Sequence, residues 1–176
     1  ATAIGGGALI LKIKPYIAKR FNTWGHAIEY ASDGGFQQAH VLTYLASGGL
    51  FGVGIGNGFL KYVFASESDL VFGIVCEELG IIVGFVLIIA ILCLAIYTRD
   101  IATRSRSTFY SISACCAAGL FIVQMSLNVF GATDILPLTG VTFPFVSAGG
   151  SSMISCWGLL AFIKAADERT YSQKRG

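Results

Sequence analysis

The sequence predicts an all-α polytopic membrane protein: a transmembrane helix bundle with a large extracellular loop and a re-entrant-like Pro/Gly loop. Three observations predict it. The 176 residues are 55% hydrophobic and only 12% charged, where a soluble domain carries about 25% charged residues. The charges are clustered, with none across 80–98, none across 107–133 and none from 135 until Lys164. Each gap matches the roughly 20 apolar residues that cross a bilayer core. Glycine and proline concentrate in "GGLFGVGIGNG", ahead of the first gap, and in "TGVTFPFVSAGGSS", inside the last one. The formal net charge of +2 comes from scattered basic residues, which excludes a nucleic-acid surface.

The elements follow in order. The opening "ATAIGGGALIL" resembles the end of a span and is too short to cross alone, so 1–15 is expected to be the tail of a helix in a longer protein. A basic cluster follows, Lys12, Lys14, Lys19 and Arg20, with Pro15 breaking any helix through it. An extracellular loop is expected over 16–69. Within it, Phe36, Val41, Leu42, Tyr44 and Leu45 fit one side of a short surface helix. The glycines at 48, 49, 52, 54, 56 and 58 argue for close backbone approach rather than helix. Transmembrane helices are expected over 70–97, 107–133 and 149–164, and a cytoplasmic tail over 165–176, all in a single membrane domain.

Orientation comes from the basic residues. The 98–106 link carries Arg99, Arg104 and Arg106, and the tail carries Lys164, Arg169, Lys174 and Arg175. Both should be cytoplasmic, which puts the 134–150 loop and 20–69 outside. The basic cluster at 12–20 then also lies outside, against the bias, where it would suit a phosphate-bearing substrate.

The candidate chemistry starts from the acids of "FASESDLVFGIVCEELG", Glu67, Asp69, Glu77 and Glu78, at the mouth of an apolar run. A helix beginning at Asp69 sets that residue at the outer boundary. It reads either as an amino-terminal acid stabilised by the dipole or as a group facing a wet cavity. Glu77 lies about 12 Å deeper, and for Glu77 and Glu78 the expectation is structural pairing with a neighbouring helix. Thr142, Ser147, Ser151 and Ser152 surround Pro144 and the Gly149–Gly150 pair. Irregular backbone there is tolerated only where it is buried in protein or lines a cavity, and a plain turn is the alternative. Asp134 reads as a solvated loop residue. Gln124 and Asn128, four apart, read as interhelical hydrogen bonds. The five cysteines fall in apolar runs without a CxxC and read as small hydrophobes packed between helices. The glycine run lacks the spacing of a dinucleotide fingerprint and has no GK[ST]. No protein-held metal site is read from the residues.

"SGGLFGVGIGNG" at 47–58, "SDLVFGIVCEELG" at 68–80 and "PLTGVTFPFVSAGGSS" at 137–152 together resemble the carboxy-terminal part of the SEDS proteins, the FtsW/RodA/SpoVE group. Gln37, ten residues before Ser47, also fits that pattern. The resemblance covers residues 30 to 165. It implies a multi-pass protein of the bacterial cytoplasmic membrane. It implies a glycosyltransferase that polymerises lipid II into peptidoglycan at the outer face, in cell division or cell-shape maintenance, with a class B penicillin-binding protein as partner. It also implies that Asp69 is the catalytic aspartate. The chain departs from the family where many members have a proline and a glutamate before the aspartate, and a histidine–threonine pair just ahead of it. Here stand Phe64, Ala65, Glu67 and Ser68, so a second carboxylate does not carry over.

With that resemblance, Asp69 is expected to act as general base on an acceptor sugar hydroxyl. Lys61, the 12–20 cluster or a divalent cation (Mg or Mn) is expected to meet the leaving pyrophosphate. Gln37, Thr142, Ser147 and Ser151 are expected to contact substrate. Two other classes stay open: a lipid II flippase or transporter, and a non-catalytic scaffold for the penicillin-binding protein.

Overall fold

The computed structural model describes residues 23–32, 35–63, 66–105 and 107–172. The expected span end at 1–15, the basic cluster at 12–20 and the last residues of the tail lie outside the described residues. The described residues are helical, with turns and loops between. Six α-helices follow one another: α1 (Phe36–Gly48), α2 (Ser66–Asp69), α3 (Val71–Leu79), α4 (Ile81–Arg104), α5 (Thr108–Ala132) and α6 (Gly150–Ser172). A single 3-10 turn, Leu60–Tyr62, precedes α2.

Two helices, α4 and α5, are long and apolar enough to cross a membrane. At 1.5 Å per residue their 24 and 25 residues reach about 36 Å, enough for the ~30 Å hydrocarbon core. They pack as an antiparallel pair, closed at the Arg104 end by Ser111 Oγ donating to the Ala102 carbonyl at 2.9 Å. α5 turns a stripe of small and apolar residues inward: Ala114, Ala117, Ala118, Phe121, Met125 and Ala132. Small side chains let helix backbones approach where lipid offers no hydrophobic driving force. The opposite face of α4 leaves Ile82, Phe85, Val86, Ile89 and Ile96 exposed. A helix so apolar and so little covered has hydrocarbon as its natural solvent.

The single helix expected over 70–97 is instead two helices meeting at Gly80, whose φ of +89° ends α3 and begins α4. The second of them continues to Arg104. In a straight helix Phe72 and Gly84 would stand about 18 Å apart. Here a Cβ on Gly84 would lie 2.6 Å from Cys76 Sγ and 3.2 Å from the Phe72 ring. The chain therefore bends sharply at Gly80, and α3 lies against the Ile81 end of α4. α1 packs on α3, burying Val41, while Phe36, His40, Tyr44 and Phe59 stack in a ladder with ring centroids 4.2, 5.6 and 6.1 Å apart. α6 starts at Gly150, packs on α5, and meets α4 where the Tyr97 hydroxyl donates to Asp167 at 3.2 Å.

The cysteines differ from expectation. All five are free, but Cys93, Cys115 and Cys116 are exposed, and only Cys76 and Cys156 are buried between helices. The exposed three lie on α4 and α5, where a small apolar thiol is tolerated against lipid as readily as in a core.

Candidate active site at the Gly80 end of the bundle

The site is built on loops that the helix ends hold in place. The glycine run does what close backbone approach predicts. Val53 N–H donates to the Glu77 carbonyl at 2.9 Å and Gly54 N–H to the Glu78 carbonyl at 3.0 Å. These are carbonyls in the last turn of α3, which would otherwise lack partners. Ile81 N–H, at the start of α4, donates to the Gly49 carbonyl at 3.1 Å. One short loop thus closes the end of α3 and the start of α4. Gly52 makes this possible, with φ +78° and room for no side chain, since a Cβ would stand 2.2 Å from the Glu78 carbonyl oxygen.

Glu77 and Glu78 hold the same loop from the other side. Glu77 is 1% exposed. Its two carboxylate oxygens accept from the Phe59 N–H at 2.8 Å and the Leu60 N–H at 2.9 Å, at the start of the 3-10 turn. Glu78 Oε2 accepts from the Gly56 N–H at 3.1 Å. The expected pairing with a neighbouring helix is replaced by pairing with loop amides. A carboxylate satisfied by backbone N–H groups needs no cationic partner to be tolerated out of water.

Asp69 ends α2, half-buried, with its carboxylate beside Gly140. A Cβ on Gly140 would stand 3.0 Å from Asp69 Oδ2, and Gly140 has φ +72°. Among the described residues none donates to this carboxylate. The backbone carrying it is tied at three successive carbonyls. Glu67 O accepts from Ala148 N–H at 2.9 Å, Ser68 O from Ser147 Oγ at 2.6 Å, and Asp69 O from Asn128 Nδ2 at 2.9 Å. These are the orphan acceptors of a helix that stops after one turn. The Pro/Gly loop and α5 supply every donor. Asn128 lies four residues before the end of α5, so Asp69 is recessed by about 6 Å, one helical turn, from the Ala132 end of that helix.

The Pro/Gly loop has a folded interior of its own. Phe143 and Pro144 are buried, and Phe145 adopts φ +63°. Such a conformation costs a bulky residue about 1–3 kcal/mol. It is held by the Phe121 and Trp157 rings, with centroids 5.1 and 5.7 Å from Phe145. Phe72 stacks on Phe143 at 6.4 Å, joining this loop to α3.

The other expected contact residues divide. Ser147 is 3% exposed, and its hydroxyl is committed to Ser68 O and to the Phe143 N–H at 2.8 Å. It positions the Asp69 segment rather than presenting a hydroxyl to substrate. Thr142 and Ser152 share a 2.7 Å hydroxyl pair at the mouth of α6, both half-buried. Ser151 is exposed at the start of α6. Lys61 sits on the 3-10 turn, which packs against α2. Its ammonium donates to the Gly56 carbonyl and lies 5.3 Å from the Tyr62 ring centre. Gln37 is half-buried on α1. Its neighbour Gln38 is buried and donates to Gly131 O at 3.1 Å and Leu136 O at 3.4 Å, fastening α1 to the end of α5.

Asp134 is not the solvated loop residue expected. It is half-buried, at φ +59°, with Oδ2 accepting from Ala27 N–H at 3.3 Å and, among the described residues, no donor to the buried Oδ1. Among the described residues no three His, Cys, Asp or Glu side chains come together as metal ligands, so no step is derived through a protein-held cation. A cleft of about 630 Å³ opens at the opposite end of α4, lined by Cys93, Tyr97, Arg99 and Asp100. It shares no residue with the Asp69 neighbourhood.

Comparison with known proteins gives a consistent result. The sequence model of the FtsW/RodA/SpoVE family, described as "Cell cycle protein", matches residues 2–172. The chain is 38% identical over 172 residues to the "Probable peptidoglycan glycosyltransferase FtsW" of Lactococcus lactis, covering 94% of this chain and 41% of that protein. It is 32% identical to the protein of the same name in Bacillus subtilis, covering 82% of this chain and 36% of that protein. It is 30% identical to the "Peptidoglycan glycosyltransferase RodA" of Mycobacterium leprae, covering 84% of this chain and 32% of that protein. The chain therefore spans about two fifths, or less, of the length of these relatives.

Proposed function

The chain belongs to the FtsW/RodA/SpoVE family, and from that premise we propose that the whole protein is a peptidoglycan glycosyltransferase. It polymerises lipid II at the outer face of the bacterial cytoplasmic membrane, as a multi-pass protein, in cell division or cell-shape maintenance. The relatives' names support the reaction class. The observation that carries the residue assignment is the Asp69 carboxylate, recessed one turn inside the Ala132 end of α5 and, among the described residues, without a donor, while its own backbone is tied at three successive carbonyls.

Asp69 is the general base in this reading. The acceptor sugar presents a hydroxyl, a poor nucleophile near neutral pH. As its oxygen bonds to the donor's anomeric carbon, the proton passes to an Asp69 carboxylate oxygen. The bond from the anomeric carbon to the pyrophosphate oxygen breaks, and the lipid pyrophosphate leaves with the electron pair. A positioned base contributes about 10²–10⁴-fold. A depth of one helical turn suits a substrate whose sugars stand outside and whose tail stays in hydrocarbon. Lys61 is the described cation best placed to approach a leaving phosphate, being carried on the turn that packs against α2. A class B penicillin-binding protein is the proposed partner.

Reconstitution of the complete protein with that partner and labelled lipid II tests the reading. Asp69→Asn is expected to lower strand synthesis by at least 10²-fold with unchanged expression. Normal strand length and yield from the variant would overturn it. Altered lipid II exposure with polymerisation intact would identify a flippase instead.

A further inference from the structure

We propose that Asn128 is a positioning residue for Asp69, setting the height and direction of its carboxylate through the backbone. The inference rests on Asp69 being the reacting acid and goes one residue further. Asn128 is 2% exposed on α5. Its Nδ2 donates twice, to the Asp69 carbonyl at 2.9 Å and to the Val141 carbonyl at 2.7 Å. These two carbonyls belong to the two segments that flank the carboxylate, the end of α2 and the residue after Gly140. Gly140 is also the residue whose absent side chain leaves Oδ2 its space. One amide nitrogen therefore fixes the distance between the acid and the loop facing it. The orientation of the amide is set by chemistry: an NH₂ between two carbonyl oxygens is attractive and an oxygen there would be repelled.

The other half of the same side chain has no partner. Among the described residues none donates to the buried Asn128 Oδ1, so within them this position carries an unsatisfied acceptor that leucine of similar volume would remove. A buried polar group retained at such a cost calls for a reason other than stability. Holding the reacting acid in register is that reason. The assembly is also braced independently by Ser147 and Ala148, so losing Asn128 shifts the carboxylate without unfolding the site. Displacement of a catalytic group by about 1 Å costs on the order of 10²-fold in rate.

The test compares Asn128→Leu, Asn128→Asp and Asp69→Asn in the complete protein with its partner and labelled lipid II. Asn128→Leu is expected to unfold in detergent at the parent temperature or above, while kcat falls by about 10- to 100-fold and KM for lipid II stays within about twofold. Asn128→Asp keeps the shape and removes both donors, so it should lose kcat to a similar degree, and it carries the test if the leucine variant does not assemble. A kcat within about twofold of the parent in the assembled variants would overturn the proposal. So would a loss of rate that appears only together with a lowered unfolding temperature. Asp69→Asn separates the two readings. If it polymerises normally, the assignment of Asp69 falls and takes this inference with it. If it is inactive while Asn128→Leu runs at full rate, only the role of Asn128 falls.

Discussion

Glu77 shows how an acid in an apolar helix is kept without a cation. Both of its oxygens are occupied by amide hydrogens of Phe59 and Leu60, and alanine would strand both donors in a closed site. Leaving a buried donor unmade costs about 1–3 kcal/mol, so Glu77→Ala should destabilise the fold by roughly 2–5 kcal/mol. Thermal unfolding of the complete protein in detergent would register this as a lowered midpoint. The role was not legible beforehand, because its partners are backbone groups 17 and 18 residues away and backbone groups leave no residue-type signal. Asp69 was legible, since an acid at the mouth of an apolar run needs water or a partner wherever the chain goes. Ser147 was legible only as a polar residue near the site. Its hydroxyl turned out to be spent on holding backbone, which spacing alone cannot distinguish from contacting a sugar.

At the scale of elements, the bend at Gly80 decides the architecture of the outer face. Hydrophobicity runs on through "EELGIIVG", so an unbroken span was the natural expectation, and the break is carried by one residue's φ. Gly80→Ala would force a Cβ to 2.2 Å from the Leu50 carbonyl oxygen at a φ of +89°. The expected outcome is release of the 49–58 loop, read as faster cleavage there in limited proteolysis while α4 and α5 remain protected. The glycine run itself was read correctly as a place of close backbone approach, because glycine at that density has few other uses. What the run approaches, the carboxyl end of α3, depended on tertiary contacts. Gln124 and Asn128 were expected to bond across helices. Asn128 does so, reaching the Asp69 carbonyl at the end of α2, and it also reaches the Val141 carbonyl of the loop, while among the described residues none donates to the buried Gln124 oxygen.

For the whole molecule, the charge-free stretches gave away α4 and α5 because nothing but a bilayer rewards an uncovered apolar helix of that length. The proposed topology sets the Asp69 neighbourhood outside and the Arg104 end inside, following the basic link between the two spans. Single cysteines placed in a background with every native cysteine of the complete protein replaced by alanine would check it. Tyr62→Cys, on an exposed residue of the 3-10 turn, should react with a membrane-impermeant maleimide in intact spheroplasts. Thr103→Cys, exposed in the last turn of α4, should react only after permeabilisation. The reverse pattern would turn the molecule over and separate Asp69 from the proposed lipid-linked substrate.

The shared joint between α3, α4 and the glycine loop bears on the order in which the protein is made. Residues 49–54 emerge from the ribosome well before the carbonyls of Glu77 and Glu78 and the amide of Ile81 that they bind. The strap can close only once Ile81 has been added. A nascent chain stalled before Ile81 would carry the 49–54 segment unlatched.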